Sequence, residues 1–338
     1  MKHKFFCGID VGKYNLAVAL MSSTNTKKTL NIEVSNNKAG FEKLLKFTAS
    51  HSKDMKNVVF LFEFTGIYAM DLWKFLSDKN LNVWVEDAKK IKRSIRIQAV
   101  KSDKVDAIQL ALYAYRFEDE FKVVKFPSDK WITLQELHRT RKNLIKQKVN
   151  FEKLLKTYKA KDELISELKN NLEHLLSQIK EQIKDIERKE KQLINEIELF
   201  KNKYEIITSI PGISHVNAIN FLLLFLSYRK FDTPQKLGAY LGVVPAEYSS
   251  GSSIRRTSHK YMNANRQLQG DLVQAANIAI RYNEELRKYA ERRMSEGKPK
   301  RIVIKIVAYK LVKIIWALIR DNRKYKPDYM SNWQNKSA

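Results

Sequence analysis

The N-terminal part of the chain, up to about residue 125, alternates between two hydrophobic patterns. Short apolar runs rich in β-branched and aromatic residues are typical of buried strands, whereas apolar residues spaced three and four apart are typical of amphipathic helices. The predicted strands span residues 5–10, 16–21, 29–34, 58–63 and 83–85. The predicted helices span residues 39–50, 71–76 and 105–115. Three strands followed by helices alternating with strands predict a mixed sheet with helices on its faces.

The middle of the chain is predicted to be long helix. Glycine and proline interrupt helices, and there is no glycine between Gly66 and Gly212 and no proline between Pro127 and Pro211. Apolar residues recur here at spacings of three, four or seven, at Ile165, Leu168, Leu172, Leu175, Ile179, Ile186, Leu193, Ile197 and Phe200. This seam fits either a helical hairpin packed on its own domain or an intermolecular coiled coil. We favour the coiled coil, because few apolar residues are left for burial on the other faces.

From about Tyr204 the pattern is again helical, with interruptions at residues 210–214 and 242–265. An amphipathic segment after Arg301 ends the domain. The patterns together predict three parts: an α/β domain at 1–125, a helical coiled-coil arm at 126–203, and a mainly helical domain at 204–338.

The net charge of the chain indicates which kinds of molecule it binds. The 338 residues include 63 Lys plus Arg against 37 Asp plus Glu, a formal net charge of +26, which favours nucleic acid or an anionic membrane as partner. The apolar stretch 301–319 carries three lysines, which argues against a membrane span. Cys7 is the single cysteine, and no secretory apolar segment opens the sequence, so we expect a cytoplasmic protein without disulfides.

Four acidic residues occupy positions that could converge. Asp10 and Glu63 end the first and fourth predicted strands, and Asp103 and Asp106 share one face of a helix. Converging carboxylates repel one another, and hard cations such as Mg²⁺ or Mn²⁺ relieve that repulsion. Two such ions can clamp the reacting oxygens of a phosphodiester. The alternative is that these acids cap helices or pair with lysines.

Six segments resemble one family of proteins, in order along nearly the whole chain. They are residues 8–13 (Gly-Ile-Asp-Val-Gly-Lys), 63–68 (Glu-Phe-Thr-Gly-Ile-Tyr), 101–107 (Lys-Ser-Asp-Lys-Val-Asp-Ala), 209–213 (Ser-Ile-Pro-Gly-Ile), 240–245 (Tyr-Leu-Gly-Val-Val-Pro) and 248–251 (Tyr-Ser-Ser-Gly). The family is that of the DEDD-type insertion-sequence transposases, also called bridge-RNA-guided recombinases, which are related to pilin-gene invertases.

The resemblance implies a fold, a site and partners. It implies an RNase H-like (RuvC-like) first domain in which Asp10, Glu63, Asp103 and Asp106 bind Mg²⁺ (or Mn²⁺), and a helical transposase domain that supplies Ser250 as nucleophile. It also implies DNA as substrate, a guide RNA encoded by the element, and dimers that assemble into a tetramer. The RNA is indicated by the resemblance alone.

Several basic or turn residues are candidate nucleic-acid contacts. Residues 210–213 resemble a helix-hairpin-helix turn, in which backbone amides near Gly212 would bind phosphate. The other candidates are Lys13 and Lys101, which could equally be surface lysines, and Arg255, Arg256, Lys260 and Arg266, for which a solvated basic face is the alternative. The sequence departs from the family at residues 261–264, where Ser/Thr-Lys-x-Gly is usual, and at Gln269, where arginine is usual. The tetrad and Ser250 are intact, so we expect a competent enzyme.

Three other functions fit parts of the sequence. A RuvC-like resolvase or nuclease would use water in place of Ser250. A catalytically decayed transposase would retain DNA binding alone. A sugar kinase or actin-like ATPase shares the opening Gly-Ile-Asp-x-Gly, but it needs later glycine-rich loops for which residues 67–211 leave little room.

Overall fold

The computed structural model describes residues 3–94, 102–159, 166–227, 231–244 and 264–327, together with the backbone of 248–250 and 254–256. The chain forms two compact units, Met1–Pro127 and Ser128–Ala338. The predicted arm and C-terminal helices lie together in the second unit.

The first unit contains a five-stranded mixed sheet, as the hydrophobic pattern predicts. Its strands are β1 (Phe5–Val11), β2 (Asn15–Ser22), β3 (Asn25–Ser35), β4 (Val58–Glu63) and β5 (Asn82–Glu86), in the spatial order β3-β2-β1-β4-β5. The strands β1, β2 and β3 pair antiparallel, whereas β4 pairs parallel with both β1 and β5. The central position of β1 follows from its sequence, because a strand buried on both faces is apolar almost throughout.

Helices cover both faces of this sheet. They are α1 (Lys38–His51), α2 (Ile67–Asp78), α3 (Ala88–Ser94) and α4 (Asp103–Arg116). On one face α4 buries Phe6, Leu61 and Trp84. On the other face Cys7 is fully buried and shares a hydrogen bond with Thr48 of α1. Burial raises the pKa of the Cys7 thiol far above its usual value, so this cysteine is chemically inert.

Gly8 allows α4 to lie directly against β1. A Cβ added at Gly8 would lie 2.2 Å from the Ala107 carbonyl oxygen and 2.3 Å from the Ala111 nitrogen, both backbone atoms that cannot move independently. The glycine is therefore required for close contact between strand and helix, in addition to any role in the Gly-Ile-Asp-x-Gly motif.

We expect Gly8→Val to destabilise the first unit by about 3 kcal/mol or more, because the side chain would force α4 off the sheet. Thermal unfolding followed by circular dichroism measures this effect. The control is Gly270→Ala, since a Cβ there meets nothing within 4 Å and alanine favours helix. An unchanged melting temperature in Gly8→Val would contradict the described packing.

Two long helices begin the second unit, α5 (Asp129–Lys159) and α6 (Ser166–Glu196). They pack antiparallel, because Lys130 reaches Glu196 at 3.4 Å near one end and Lys180 reaches Glu152 at 4.0 Å near the other. The residues of the predicted seam that are buried are Leu172, Ile179, Ile186, Leu193 and Phe200. This part of the seam is used within one chain, as in a hairpin. Association of two chains through the arm stays a prediction.

In the described residues that follow, six further helices build the C-terminal part. They are α7 (Glu198–Thr208), α8 (His215–Phe225), α9 (Pro234–Tyr240), α10 (Arg266–Tyr282), α11 (Glu284–Ser295) and α12 (Lys300–Asp321). The core forms around α12, whose Val307, Leu311 and Ile315 are fully buried. Within the described ranges, no helix is both long and apolar enough to cross a membrane.

A buried polar cluster connects the arm to the helices that follow it. Glu190 of α6 is fully buried, and its carboxylate lies 2.9 Å from Nδ1 of His138 on α5 and 3.2 Å from Nε2 of His215 on α8. Arg141 adds a longer ion pair at 3.7 Å. Four charged or polar groups from three helices therefore meet away from water.

Candidate active site

Asp10 and Glu63 are brought to the same edge of the sheet by parallel pairing. The register between β1 and β4 ends at Ile9 opposite Phe62, and each acid is the next residue on its strand. Side chains alternate between faces along a strand, so Asp10 shares the face of Gly8, and Glu63 shares the face of Leu61. Both acids are therefore on the face that α4 covers.

The first turn of α4 lies at this same edge. The ring of Phe6 contacts the ring of Tyr115 at a centroid distance of 5.6 Å, whereas Gly8 lies under Ala107. The helix therefore runs antiparallel to β1, and its N-terminus lies towards Asp10. The side chain of Ser102 caps it by accepting a hydrogen bond from the Val105 amide at 3.3 Å.

Asp103 and Asp106 occupy this first turn on the side that faces the sheet. Asp103 precedes the buried Ala107 by four residues, and Asp106 precedes the buried Leu110 by four. Asp106 is half-buried, whereas Asp103 is exposed. Both also lie where the helix dipole favours negative charge.

The electrostatics of Glu63 indicate which acids influence one another. Burial raises the pKa of the Glu63 carboxyl above its usual value; the charge of Lys92 opposes this rise, and the carboxylates of Asp10 and Asp106 add to it. These three acids thus share one electrostatic neighbourhood. However, in the described part of the chain no three acidic, histidine or cysteine side chains lie close enough together to hold a metal ion. The structure places the carboxylates near one another without bringing them to coordination distance.

A further acid at this edge has no counterpart among the sequence predictions. Glu86 ends β5 directly opposite Glu63. Its carboxylate accepts a hydrogen bond from Lys90 Nζ at 2.8 Å, and Lys90 also reaches Glu120 at 2.6 Å. Glu86 is therefore neutralised by a neighbouring cation. The sequence feature that could have indicated Glu86 is the pair of acidic residues after the predicted fifth strand, Glu86 and Asp87.

The predicted nucleic-acid contacts are distributed over both units. Lys13 is exposed in the turn after β1, with its ammonium 4.8 Å from the centroid of the Tyr14 ring, and Tyr14 is itself exposed. Arg266 is exposed at the start of α10. Arg255 and Arg256 belong to the short strand β7 (Ile254–Arg256). Lys101 and Lys260 lie outside the described residues.

The packing of the second unit requires a glycine at position 212. Its φ is +93°, and an added Cβ would lie 2.6 Å from backbone atoms of Ala279 on α10. The turn therefore needs glycine for its conformation and for the close approach of α10. Phosphate binding by this turn stays a prediction.

Ser250 lies at the tip of a two-stranded hairpin. It is the last residue of β6 (Tyr248–Ser250), which pairs antiparallel with β7, and Ser250 lies opposite Ile254. The departure from the family at residues 261–263 falls outside the described part of the chain. Ala264 and Gln269 are described, and both adjoin the base of this loop.

Comparison with known proteins gives consistent matches for both halves of the chain. A transposase family model matches residues 7–159, and a model of the IS116/IS110/IS902 transposase family matches residues 204–291. The pilin gene-inverting proteins of Moraxella bovis and Moraxella lacunata are each 26% identical over 329 residues, which cover 95% of this chain and 98% of theirs. An insertion element IS110 protein of Streptomyces coelicolor is 27% identical over 121 residues, which cover 36% of this chain and 30% of that protein.

These matches, together with an acidic edge on a mixed sheet and a strongly basic helical unit, define an enzyme of DNA recombination, a DNA transposase. More narrowly, the matches at residues 7–159 and 204–291 support a DEDD-type insertion-sequence transposase. The family predicted from the sequence motifs is thereby confirmed.

Proposed function

We propose that this transposase cleaves and rejoins the DNA of an insertion sequence through a covalent phosphoserine intermediate. In the proposal Asp10, Glu63, Asp103 and Asp106 bind Mg²⁺ (or Mn²⁺), and Ser250 is the nucleophile. The observation that supports it most directly is the placement of the acids: Asp10 and Glu63 follow the last paired residues of two parallel strands, and Asp103 and Asp106 lie in the first turn of the helix that covers the same face. The cluster of carboxylates suits a bound metal cation. The basic excess of the protein, a net charge of +26, suits a bound polyanion such as DNA.

The donor set fits a hard divalent cation, because all four side chains offer carboxylate oxygens. Such a cation would supply electrostatic stabilisation of the charge that develops on the phosphodiester oxygens. The protein's own contribution is to hold the carboxylates at one sheet edge: two by strand pairing and two by the first turn of α4.

The serine carries out the exchange of bonds. Its hydroxyl oxygen attacks phosphorus and forms a phosphoserine ester, while the bond to the leaving deoxyribose oxygen breaks and that oxygen takes up a proton. One ester replaces another, so the later attack of a DNA hydroxyl on the phosphoserine can rejoin strands without an external energy source. A serine hydroxyl needs activation for this step. We propose, as the family resemblance implies, that the acidic site of another protomer provides it.

We expect Ser250→Ala to form no covalent protein–DNA adduct on DNA that carries the element ends, supplied with Mg²⁺ and the RNA transcribed from the element flanks. A denaturing gel with labelled DNA detects the adduct. The control is Ser249→Ala, because Ser249 is the neighbouring residue of the same strand.

Adduct formed by Ser250→Ala at the wild-type level would contradict the assignment of the nucleophile. Cleavage without any adduct, in wild type as well, would favour the nuclease that uses water. Salt-sensitive DNA binding without cleavage would favour the decayed transposase. Omission of the transcribed RNA tests the guide, since the proposal requires it for cleavage at a defined sequence.

A homodimer that assembles to a tetramer is part of the same proposal. Leu168 and Leu175 are seven residues apart on one face of α6, and they remain 59% and 38% exposed. On α5, Val149 and Leu154 are similarly exposed. We propose that this apolar part of the arm contacts the arm of a second copy. Sedimentation of the full chain tests this, and a monomer at high concentration would contradict it.

A further inference from the structure

The loop that carries the β6–β7 hairpin leaves α9 through residues 241–244 and returns at Ala264, before α10. A backbone hydrogen bond joins its two ends, because the Asn265 amide donates to the Tyr240 carbonyl at 2.9 Å. On the departing side, the Val243 amide donates back to the Gly238 carbonyl of α9 at 3.0 Å. The chain therefore enters and leaves the loop through one narrow base.

Gln269 is the side chain that closes this base. It lies one turn into α10, and its amide Nε2 donates a hydrogen bond to the Gly242 carbonyl oxygen. Its own backbone amide donates to the Asn265 carbonyl at 2.9 Å, and the Asn265 side chain caps α10 by accepting from the Leu268 amide at 3.2 Å. The hydrogen bond from Gln269 thus ties one end of the loop to the helix that begins at the other end.

Gly242 shows how closely the two ends approach. Its φ of +69° is in the left-handed region, and an added Cβ would lie 2.5 Å from Cβ of Ala264 and 2.8 Å from Nε2 of Gln269. Ala264 and Gln269 are both positions at which the sequence departs from its family pattern, and they meet at the same glycine. The amide of Gln269 and the small side chain of Ala264 therefore both lie against Gly242.

We propose that Gln269 is a positioning residue for the transposition reaction, which holds the base of the loop closed and thereby fixes the direction of the hairpin that carries Ser250. The inference rests on the proposed role of Ser250. Tying the ends of a loop reduces the conformations open to it. A nucleophile must be held close to its attack geometry, and a displacement of about 1 Å can lower the rate by about 100-fold.

The test compares three variants of Gln269. In Gln269→Glu an acceptor would face the Gly242 carbonyl, and Gln269→Met keeps the length but has no donor, whereas Gln269→Arg keeps an N–H donor. We expect the first two to lower kcat for adduct formation by roughly 10-fold or more, with KM for DNA unchanged, and Gln269→Arg to retain most of the activity. The control is Gln267→Glu, which makes the same charge change at an exposed position of α10.

A second readout is independent of the chemistry. The loop contains Arg255, Arg256 and Lys260, so trypsin can cut within it. We expect faster cleavage there in Gln269→Glu and Gln269→Met than in wild type, at unchanged melting temperature. Unchanged proteolysis and kcat in both variants would overturn the inference, and so would a rise in KM without faster proteolysis, which would indicate a DNA contact. Failure of the Ser250 assignment would appear in Ser250→Ala, whereas the proteolysis result would still decide whether Gln269 closes the loop.

Discussion

Replacing Asp10 with asparagine is expected to abolish DNA strand cleavage by this transposase while leaving its fold intact. The change keeps the size of the side chain and removes one negative charge from the group formed with Glu63 and Asp106. Removal of one preorganised electrostatic group from an active site typically costs about 10²–10³ in rate, and a lost metal ligand should cost at least as much. Labelled element-end DNA on a denaturing gel measures the loss. Chelation of divalent cations with EDTA should have the same effect on wild type.

The stability of Asp10→Asn distinguishes lost chemistry from lost folding. The Asp10 charge contributes to the raised pKa of Glu63, so its removal relieves a repulsion. The melting temperature should therefore stay the same or rise slightly. The control is Asp119→Asn, an exposed acid beyond the far end of α4 and thus about 20 Å from the first turn of that helix. Cleavage by Asp10→Asn at the wild-type rate would contradict the assignment of the site.

Much of the acidic edge could be predicted from the sequence, because it depends on local patterns. Runs such as residues 58–63 leave little choice of secondary structure, and a parallel neighbour for β1 is enough to bring Asp10 beside Glu63. The helix α3 was not predicted, since Ala88–Ser94 is mostly lysine, arginine and serine and carries no apolar stripe. The strand β3 begins earlier than predicted, at Asn25, because backbone pairing with β2 extends it through polar residues.

The buried polar cluster of the second unit could not be predicted for a different reason. His138, Glu190 and Asn220 lie on three helices and are separated by 82 residues or fewer along the chain, yet nothing in their local sequences marks them as partners. A histidine on a helix that is rich in charged residues gives no sign of burial. Only the packing of α5, α6 and α8 brings these groups together.

The hydrogen bonds of this cluster fix the orientation of the His138 ring. The amide of Asn220 donates through Nδ2 to Asp271 at 3.0 Å, and its oxygen accepts from Lys142 at 2.8 Å, so its orientation is fixed by both neighbours. That oxygen also faces Nε2 of His138 at 3.0 Å, while Nδ1 of His138 faces Glu190. Both ring nitrogens of His138 therefore face side-chain oxygens, and the Glu190 carboxylate lies between His138, His215 and Arg141.

Replacing Glu190 with glutamine is accordingly expected to destabilise the protein by about 3–5 kcal/mol, because it leaves the buried Arg141 guanidinium without a compensating charge and removes the carboxylate that bonds His138 and His215. This should lower the melting temperature by roughly 10 °C. The control is Glu196→Gln on the same helix, whose exposed ion pair with Lys130 should contribute no more than about 1 kcal/mol. Equal melting temperatures in the two variants would contradict the cluster.

The pH dependence of the same variant separates lost charge from lost packing. Burial opposes ionisation of Glu190, but hydrogen bonds from His138 and His215 and the charge of Arg141 outweigh it and lower its pKa from 4.5 to about 2. Because the folded pKa lies below the unfolded one, the ionised carboxylate stabilises the fold fully above about pH 4.5 and progressively less as the pH falls towards 2, an effect on the order of 3 kcal/mol. The difference in melting temperature between wild type and Glu190→Gln should therefore shrink between pH 5 and about pH 3. A difference that stays constant over this interval would mean that the glutamine acts through packing, and that the Glu190 charge does not hold the arm to the C-terminal helices.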